Sequence, residues 1–100
     1  MGAQWVLVYM DKQQKILVLH DIRSVLNVGA IFRTADSIGI DKIIISGITP
    51  APVDRFGRDR SDMQKTALGA EKTVPWEQVE NIIEEIEKYK TDGFQAVSLE

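Results

Sequence analysis

Asn27, Gly29, Arg33 and Ser37 lie close together in the segment SVLNVGAIFRTADSIG, which runs from Ser24 to Gly39. Helical spacing puts Gly29, Arg33 and Ser37 on one face, each one turn from the next. Glycine leaves the backbone bare one turn before the guanidinium, so a bulky ligand could approach the helix there. Asn27 stands where the helix is predicted to begin, placed to cap the first turn. The unbonded N–H groups of that turn, together with Arg33, suit a phosphate or another anion. The same residues admit a plainer reading, in which Asn27 only caps, Gly29 is only a packing contact and Arg33 pairs with Asp36. Residue types alone leave both readings open.

Two further groups could face a ligand. His20, Asp21 and Arg23 follow the apolar run ILVL, Ile16 to Leu19. In open α/β sheets the C-terminal ends of strands are where ligands bind, although an ordinary polar loop would use the same residues. The stretch GITPAPVDRFGRDRSD, from Gly47 to Asp62, is long for a loop in so small a chain. Its Arg55, Arg58 and Arg60 are offset by Asp54, Asp59 and Asp62, so it is locally neutral. It reads either as an RNA-contacting loop, with Phe56 stacking on a base and the arginines reaching phosphates, or as a solvated surface loop.

Hydrophobic patterning predicts the elements that position these residues. Val28, Ile31, Phe32, Ala35 and Ile38 form one apolar stripe, and Gly39 closes that helix as a C-cap. The nearly continuous run ILVL fits a strand buried on both faces of a parallel sheet, and DKIIIS, Asp41 to Ser46, fits its neighbour. Strand, helix, strand implies a right-handed parallel crossover. Asp62 to Leu68 is predicted as a short helix ended by Gly69, followed by a brief extended segment at Lys72 to Val74. Pro75 is predicted to open a second long helix, with Val79, Ile82, Ile83, Ile86 and Tyr89 buried and its glutamates solvated. FQAVSL, Phe94 to Leu99, is the last strand. WVLVYM, Trp5 to Met10, is either an edge strand or a leader, because DKQQK after it lacks the glycine of a tight hairpin.

The string HDIRSVLNVGAIFRTADSIGIDKIII, His20 to Ile45, resembles the first signature motif of the SpoU/TrmH family of SPOUT-class RNA methyltransferases. GITPAPVDRFGR, Gly47 to Arg58, and KTALGAEKTVPW, Lys65 to Trp76, resemble the segments that follow in one branch of it, so the likeness runs from about Ile16 to Glu100. The resemblance implies methyl transfer from S-adenosylmethionine to a ribose 2′-hydroxyl of tRNA or rRNA. Arg33 would match the catalytic arginine, with Asn27 orienting the ribose or a neighbouring loop. A guanidinium, which stays protonated in proteins, is a poor general base. Arg33 is therefore expected to hold a phosphate and stabilise the reacting hydroxyl, while a phosphate oxygen or water takes the proton. Arg23, Gly29, His20, Arg55, Arg58 and Arg60 would be the RNA-contacting residues.

The family's second and third motifs, whose loops form a trefoil knot around the cofactor, have no counterpart in the sequence. The expectation is a substrate-side portion of the domain, residues 15–100, without its own S-adenosylmethionine pocket and inactive alone, preceded by an uncertain strand or leader at residues 1–14. The expected fold is α/β: an open, mostly parallel sheet of three or four strands with helices on both faces and no knot. Dimers are common in the family, so self-association is expected. A noncatalytic RNA-binding or dimerisation module derived from the same fold is the alternative.

Composition bounds these readings. One hundred residues with 44% hydrophobic content make one domain with a modest core. Absence of cysteine excludes disulfides and thiolate metal sites and favours a reducing cytoplasm, and a lone histidine cannot hold a metal. No apolar run reaches the length of a membrane span. The net charge of −3 hides a division: residues 1–70 carry nine Lys/Arg against seven Asp/Glu, residues 71–100 three against eight. RNA would meet the first part, through a local groove rather than a polybasic surface.

Overall fold

The computed structural model describes residues 4–99, whose strands form one five-stranded sheet in the order β4-β3-β2-β1-β5. The strands are β1 (Trp5–Met10), β2 (Lys15–His20), β3 (Lys42–Ser46), β4 (Trp76–Gln78) and β5 (Gln95–Leu99). Between them lie helices α1 (Val25–Ile38), α2 (Ser61–Ala67), α3 (Ala70–Thr73) and α4 (Ile82–Thr91). β2, β3 and β4 pair in parallel, while β1 is antiparallel to both β2 and β5. Four strands thus point one way and β1 alone points back.

The alternation of side chains along β2 and β3 explains why helices cover both faces. Leu17, Leu19, Ile43 and Ile45 pack against Val28, Phe32 and Ala35 of α1, with Met63 and Ala67 of α2. Ile16, Val18 and Ile44 point the other way and pack against Ile82 and Ile86 of α4. Val18, Leu19 and Ile43 to Ile45 are completely buried, and each such side chain stabilises the fold by about 1.5–3 kcal/mol.

Four sequence expectations are corrected. First, the sheet has five strands, and β1 sits inside it rather than at its edge, with Tyr9 and Val8 buried on opposite faces. A carboxylate substitutes for the missing turn glycine: Asp11 Oδ1 accepts from the N–H groups of Gln13 (2.8 Å) and Gln14 (2.6 Å) and closes the β1–β2 turn. Second, Ser24 rather than Asn27 caps α1, its Oγ accepting from the Asn27 N–H at 3.1 Å. Third, Pro75 does not open the last long helix. The Pro75 carbonyl accepts from the Ile43 N–H at 2.9 Å and Trp76 to Gln78 pair beside Ile43 to Ile45, so the helix starts only after Asn81, whose Oδ1 accepts from the Glu84 N–H at 3.2 Å. Fourth, Lys72 and Thr73 belong to the helical turn α3, begun by Gly69 at φ +94°, instead of an extended segment.

Gly39 ends α1 as expected, left-handed at φ +79°. The reversal carries Ile40 into the core, 6% exposed, and leaves Ile38, the last residue of the predicted stripe, 53% exposed. No helix among the described residues is long and apolar enough to cross a membrane.

Candidate functional site

α1 and α2 cross in close contact, and Gly29 is where they touch. A Cβ at that position would sit 2.7 Å from the Met63 carbonyl oxygen and 3.1 Å from the Ala67 nitrogen, and would collide with Thr66 Oγ1. Gly29 is buried, and Thr66 Oγ1 donates to the Leu26 carbonyl at 2.8 Å across the same contact. The bare backbone foreseen for a ligand is therefore covered by α2, which corrects that expectation: a close approach does occur, and the chain itself makes it.

One turn further along α1 the helices diverge. Arg33 is exposed and lines an open depression of about 460 Å³ with Ala30, Thr34 and Ser37 of α1 and Lys65 and Thr66 of α2. Arg33 forms no ion pair among the described residues, so the pairing with Asp36 is not made. Ser37 shares the depression, its Oγ donating to the Arg33 carbonyl at 3.2 Å. Asn27 is exposed in the first turn; its N–H is taken by Ser24, which removes one of the donors an anion there would use. Lys65 was not singled out in the sequence, although it opens the KTALGAEKTVPW segment; only the helix crossing places it beside Arg33.

At the C-terminal ends of β2 and β3 the polar residues bond to one another. His20 Nδ1 lies 2.8 Å from Ser46 Oγ, and its Nε2 lies 3.4 Å from Asp21 Oδ2. The Trp5 ring packs against the imidazole, with centroids 4.9 Å apart and planes tilted by 42°. Asp21 is left-handed at φ +57°, and its Oδ1 accepts from the Ile48 N–H at 3.1 Å. Thr49 Oγ1 accepts from the Ile22 N–H at 3.1 Å and lies 2.8 Å from the Ser46 carbonyl, its acceptor. These bonds tie the loop after β2 to the loop after β3. His20 is thus half-buried inside a lattice of its own, and Arg23 is exposed in the link to α1.

The long loop is folded. Val53 and Asp59 bridge a small hairpin whose tip is held by Asp54. Asp54 Oδ1 accepts from the N–H groups of Arg58 (3.0 Å) and Phe56 (2.8 Å), and Oδ2 accepts from Arg58 Nε at 3.1 Å. These bonds to the Arg58 and Phe56 backbone, the Arg58 guanidinium and the nearby Arg60 charge hold the Asp54 carboxyl below its ordinary pKa. Phe56 projects from the tip, 67% exposed, with the guanidinium carbons of Arg55 and Arg58 at 5.0 and 5.1 Å from its ring centre. Asp59 is drawn away to Lys72 at 3.1 Å. The loop's charges therefore do not cancel pairwise: Arg55 and Arg60 form no ion pair among the described residues and line one cleft of about 320 Å³ with Gly47 to Ala51, Val53, Gln78 and the carboxylate-bearing Asp54. Arg55 thus shares one cleft with Arg60 and the Phe56 ring with Arg58, while Arg33 lines a separate depression.

The depression at Arg33 is lined by two cations and no carboxylate, which opposes the sulfonium of S-adenosylmethionine, and the apolar groove beside Ile31 has only Thr34 as a polar lining side chain. Among the described residues no three His, Asp or Glu side chains gather to hold a metal.

An open α/β sheet with helices on both faces is the frame of a doubly wound domain. Comparison with known proteins gives the family: a profile of the SpoU rRNA methylase family matches residues 14–100, and the chain belongs to that family. A Staphylococcus saprophyticus protein assigned to the TrmH family of tRNA/rRNA methyltransferases is 32% identical over 90 residues, 90% of this chain and 34% of the relative. The Neisseria meningitidis 23S rRNA (guanosine-2′-O-)-methyltransferase RlmB is 32% identical over 88 residues, 88% of this chain and 33% of the relative. The chain thus spans about a third of the length of these relatives.

Proposed function

We propose that this chain supplies the RNA side of a 2′-O-ribose methyltransferase of the SpoU/TrmH type, acting on tRNA or rRNA in the cytoplasm. The observation that carries the reading is the exposed Arg33, unpaired among the described residues, in a depression whose lining holds no carboxylate, within a chain of this family. S-adenosylmethionine is the methyl donor the family implies, and no step is assigned to it through the residues described. Arg33 holds the phosphate beside the target ribose and stabilises negative charge as it develops on the 2′-oxygen. The hydroxyl proton passes to a phosphate oxygen or a water, since a guanidinium already carries its full complement of protons. Asn27, exposed one helical face away, orients the ribose or a neighbouring loop.

Arg23, Arg55, Arg58 and Arg60 are assigned to phosphates, and His20 to the strand-end surface that RNA meets. Phe56 supplies a stacking face for an unpaired base. Phe56→Ala should weaken binding of an unstructured RNA by about 1–3 kcal/mol, the usual worth of one base–aromatic stack. Its thermal stability should move little, because the ring is exposed at a hairpin tip. Fluorescence titration beside a thermal melt separates the two effects.

The direct test is a pair of titrations on this chain. RNA binding that weakens steeply between low and moderate salt, with no heat on addition of S-adenosylmethionine, supports the assignment. Saturable S-adenosylmethionine binding would overturn the restriction to the RNA side, and salt-independent or absent RNA binding would overturn the assignment itself.

A second reading, self-association, is favoured by one observation. Val6, Val8, Leu17, Ile31, Ile38 and Ile40 line an apolar groove of about 340 Å³ between β1 and α1, with Ile38 exposed and Val6 and Ile31 half-buried. We assign this groove to a second copy of the chain in a homodimer. Sedimentation should show a concentration-dependent dimer that Ile38→Glu converts to monomer; an unchanged profile would remove this assignment.

A further inference from the structure

We propose that Lys65 is a second anchor for the RNA backbone, neutralising a phosphate of its own on the strand whose target ribose is presented to Arg33. This rests on the RNA-side reading above and adds to it a residue, an element and a geometry. The two cations come from different helices and line one depression, with the hydroxyl-bearing Thr34, Ser37 and Thr66 and the small Ala30 between them. No carboxylate lines it. Lys42, Lys72 and Lys88 each hold a carboxylate, at 3.0, 3.1 and 3.2 Å, whereas Lys65 forms no ion pair among the described residues although Asp62 lies one turn before it. The depression is thus a place of uncompensated positive charge in a protein whose net charge is −3.

Shape selects the ligand. The depression is open, with its two cations on different helices, which suits an extended polyanion running along the groove better than a compact ion that must be surrounded. The separation of the walls is fixed, because α1 and α2 are clamped at Gly29, one turn before Arg33, and by the Thr66–Leu26 hydrogen bond, whose donor adjoins Lys65. A flexible lysine on a rigidly placed helix contributes a point charge without planar recognition, which is a role in holding the strand rather than in the reaction. Lys65 is therefore a positioning residue and Arg33 the one that meets the reacting group.

The test is the salt dependence of binding to a fluorescent hairpin RNA with an unstructured loop. For Lys65→Gln the slope of log K against log salt should become shallower by about 0.7, one phosphate contact on a single strand. Affinity at moderate salt should fall roughly two- to fivefold. Lys65→Arg should restore both, and Lys90→Gln, on α4 across the sheet, should change neither slope nor affinity. A wild-type slope and affinity in Lys65→Gln, with Arg33→Gln still weakened, would overturn the role of Lys65 and leave the RNA-side reading standing. Salt-dependent binding absent from the wild type would overturn both. Lys65 is exposed, so circular dichroism should show the variant folded.

Discussion

Arg33→Lys, made in a chain long enough to transfer methyl groups to RNA, is expected to lower kcat/KM by about 10²–10³-fold, the usual loss when one preorganised donor to a developing oxyanion is removed. Charge is retained in this variant, so the loss isolates geometry. A guanidinium can donate to a phosphate oxygen and to the 2′-oxygen from one rigid plane, whereas an ammonium offers a single point of attachment on a flexible stem. RNA affinity should change far less than turnover, because the electrostatic contact with phosphate survives. The measurement is transfer of labelled methyl into RNA under subsaturating RNA, with binding followed in parallel. Equal losses in binding and kcat/KM would mean that Arg33 only holds RNA; undiminished transfer would remove it from the site.

Arg33 also shows what sequence can and cannot reveal. Its exposure follows from helical spacing, since Phe32 and Ala35 face the sheet and the residue between their turns must face away. Its partner on the other wall does not follow, because Lys65 is brought there by a helix crossing between segments far apart in the chain. Asn27 was misplaced by local ambiguity: Ser24 and Asn27 are both good caps, three residues apart, and the chain uses the first to bond the second. The two-sided burial of β2 and β3 was legible in their unbroken apolar runs. β1 was legible only as an edge strand or a leader, because its hairpin is closed by the Asp11 side chain instead of a glycine. β4 carries only Trp76, Glu77 and Gln78, a strand made by backbone pairing to β3 with no apolar alternation to announce it. There Pro75, a good helix opener, gave a misleading signal.

Gly29 joins fold and site, and its substitution should have the largest effect on stability. Gly29→Ala would gain about 1 kcal/mol of helix propensity in an isolated helix. Here the added methyl would press on the Met63 carbonyl and the Ala67 nitrogen, which are backbone and cannot rotate aside, so α2 must move. Overpacking of this kind costs about 1–3 kcal/mol, which cancels or outweighs the propensity gain. Gly29→Val adds two methyls and a β-branched side chain to the same contact and should destabilise by about 3 kcal/mol or more, a large share of the stability of a small domain. Urea unfolding of the two variants would read this order. If Ala is tolerated while Val is not, Gly29→Ala also becomes a probe of the groove. A shifted α2 changes the distance from Lys65 to Arg33, and RNA binding should weaken without the loss of any charged residue. Stabilisation by both substitutions would mean that α2 does not rest on α1 as described, and the fixed spacing of the two cations would fall with it.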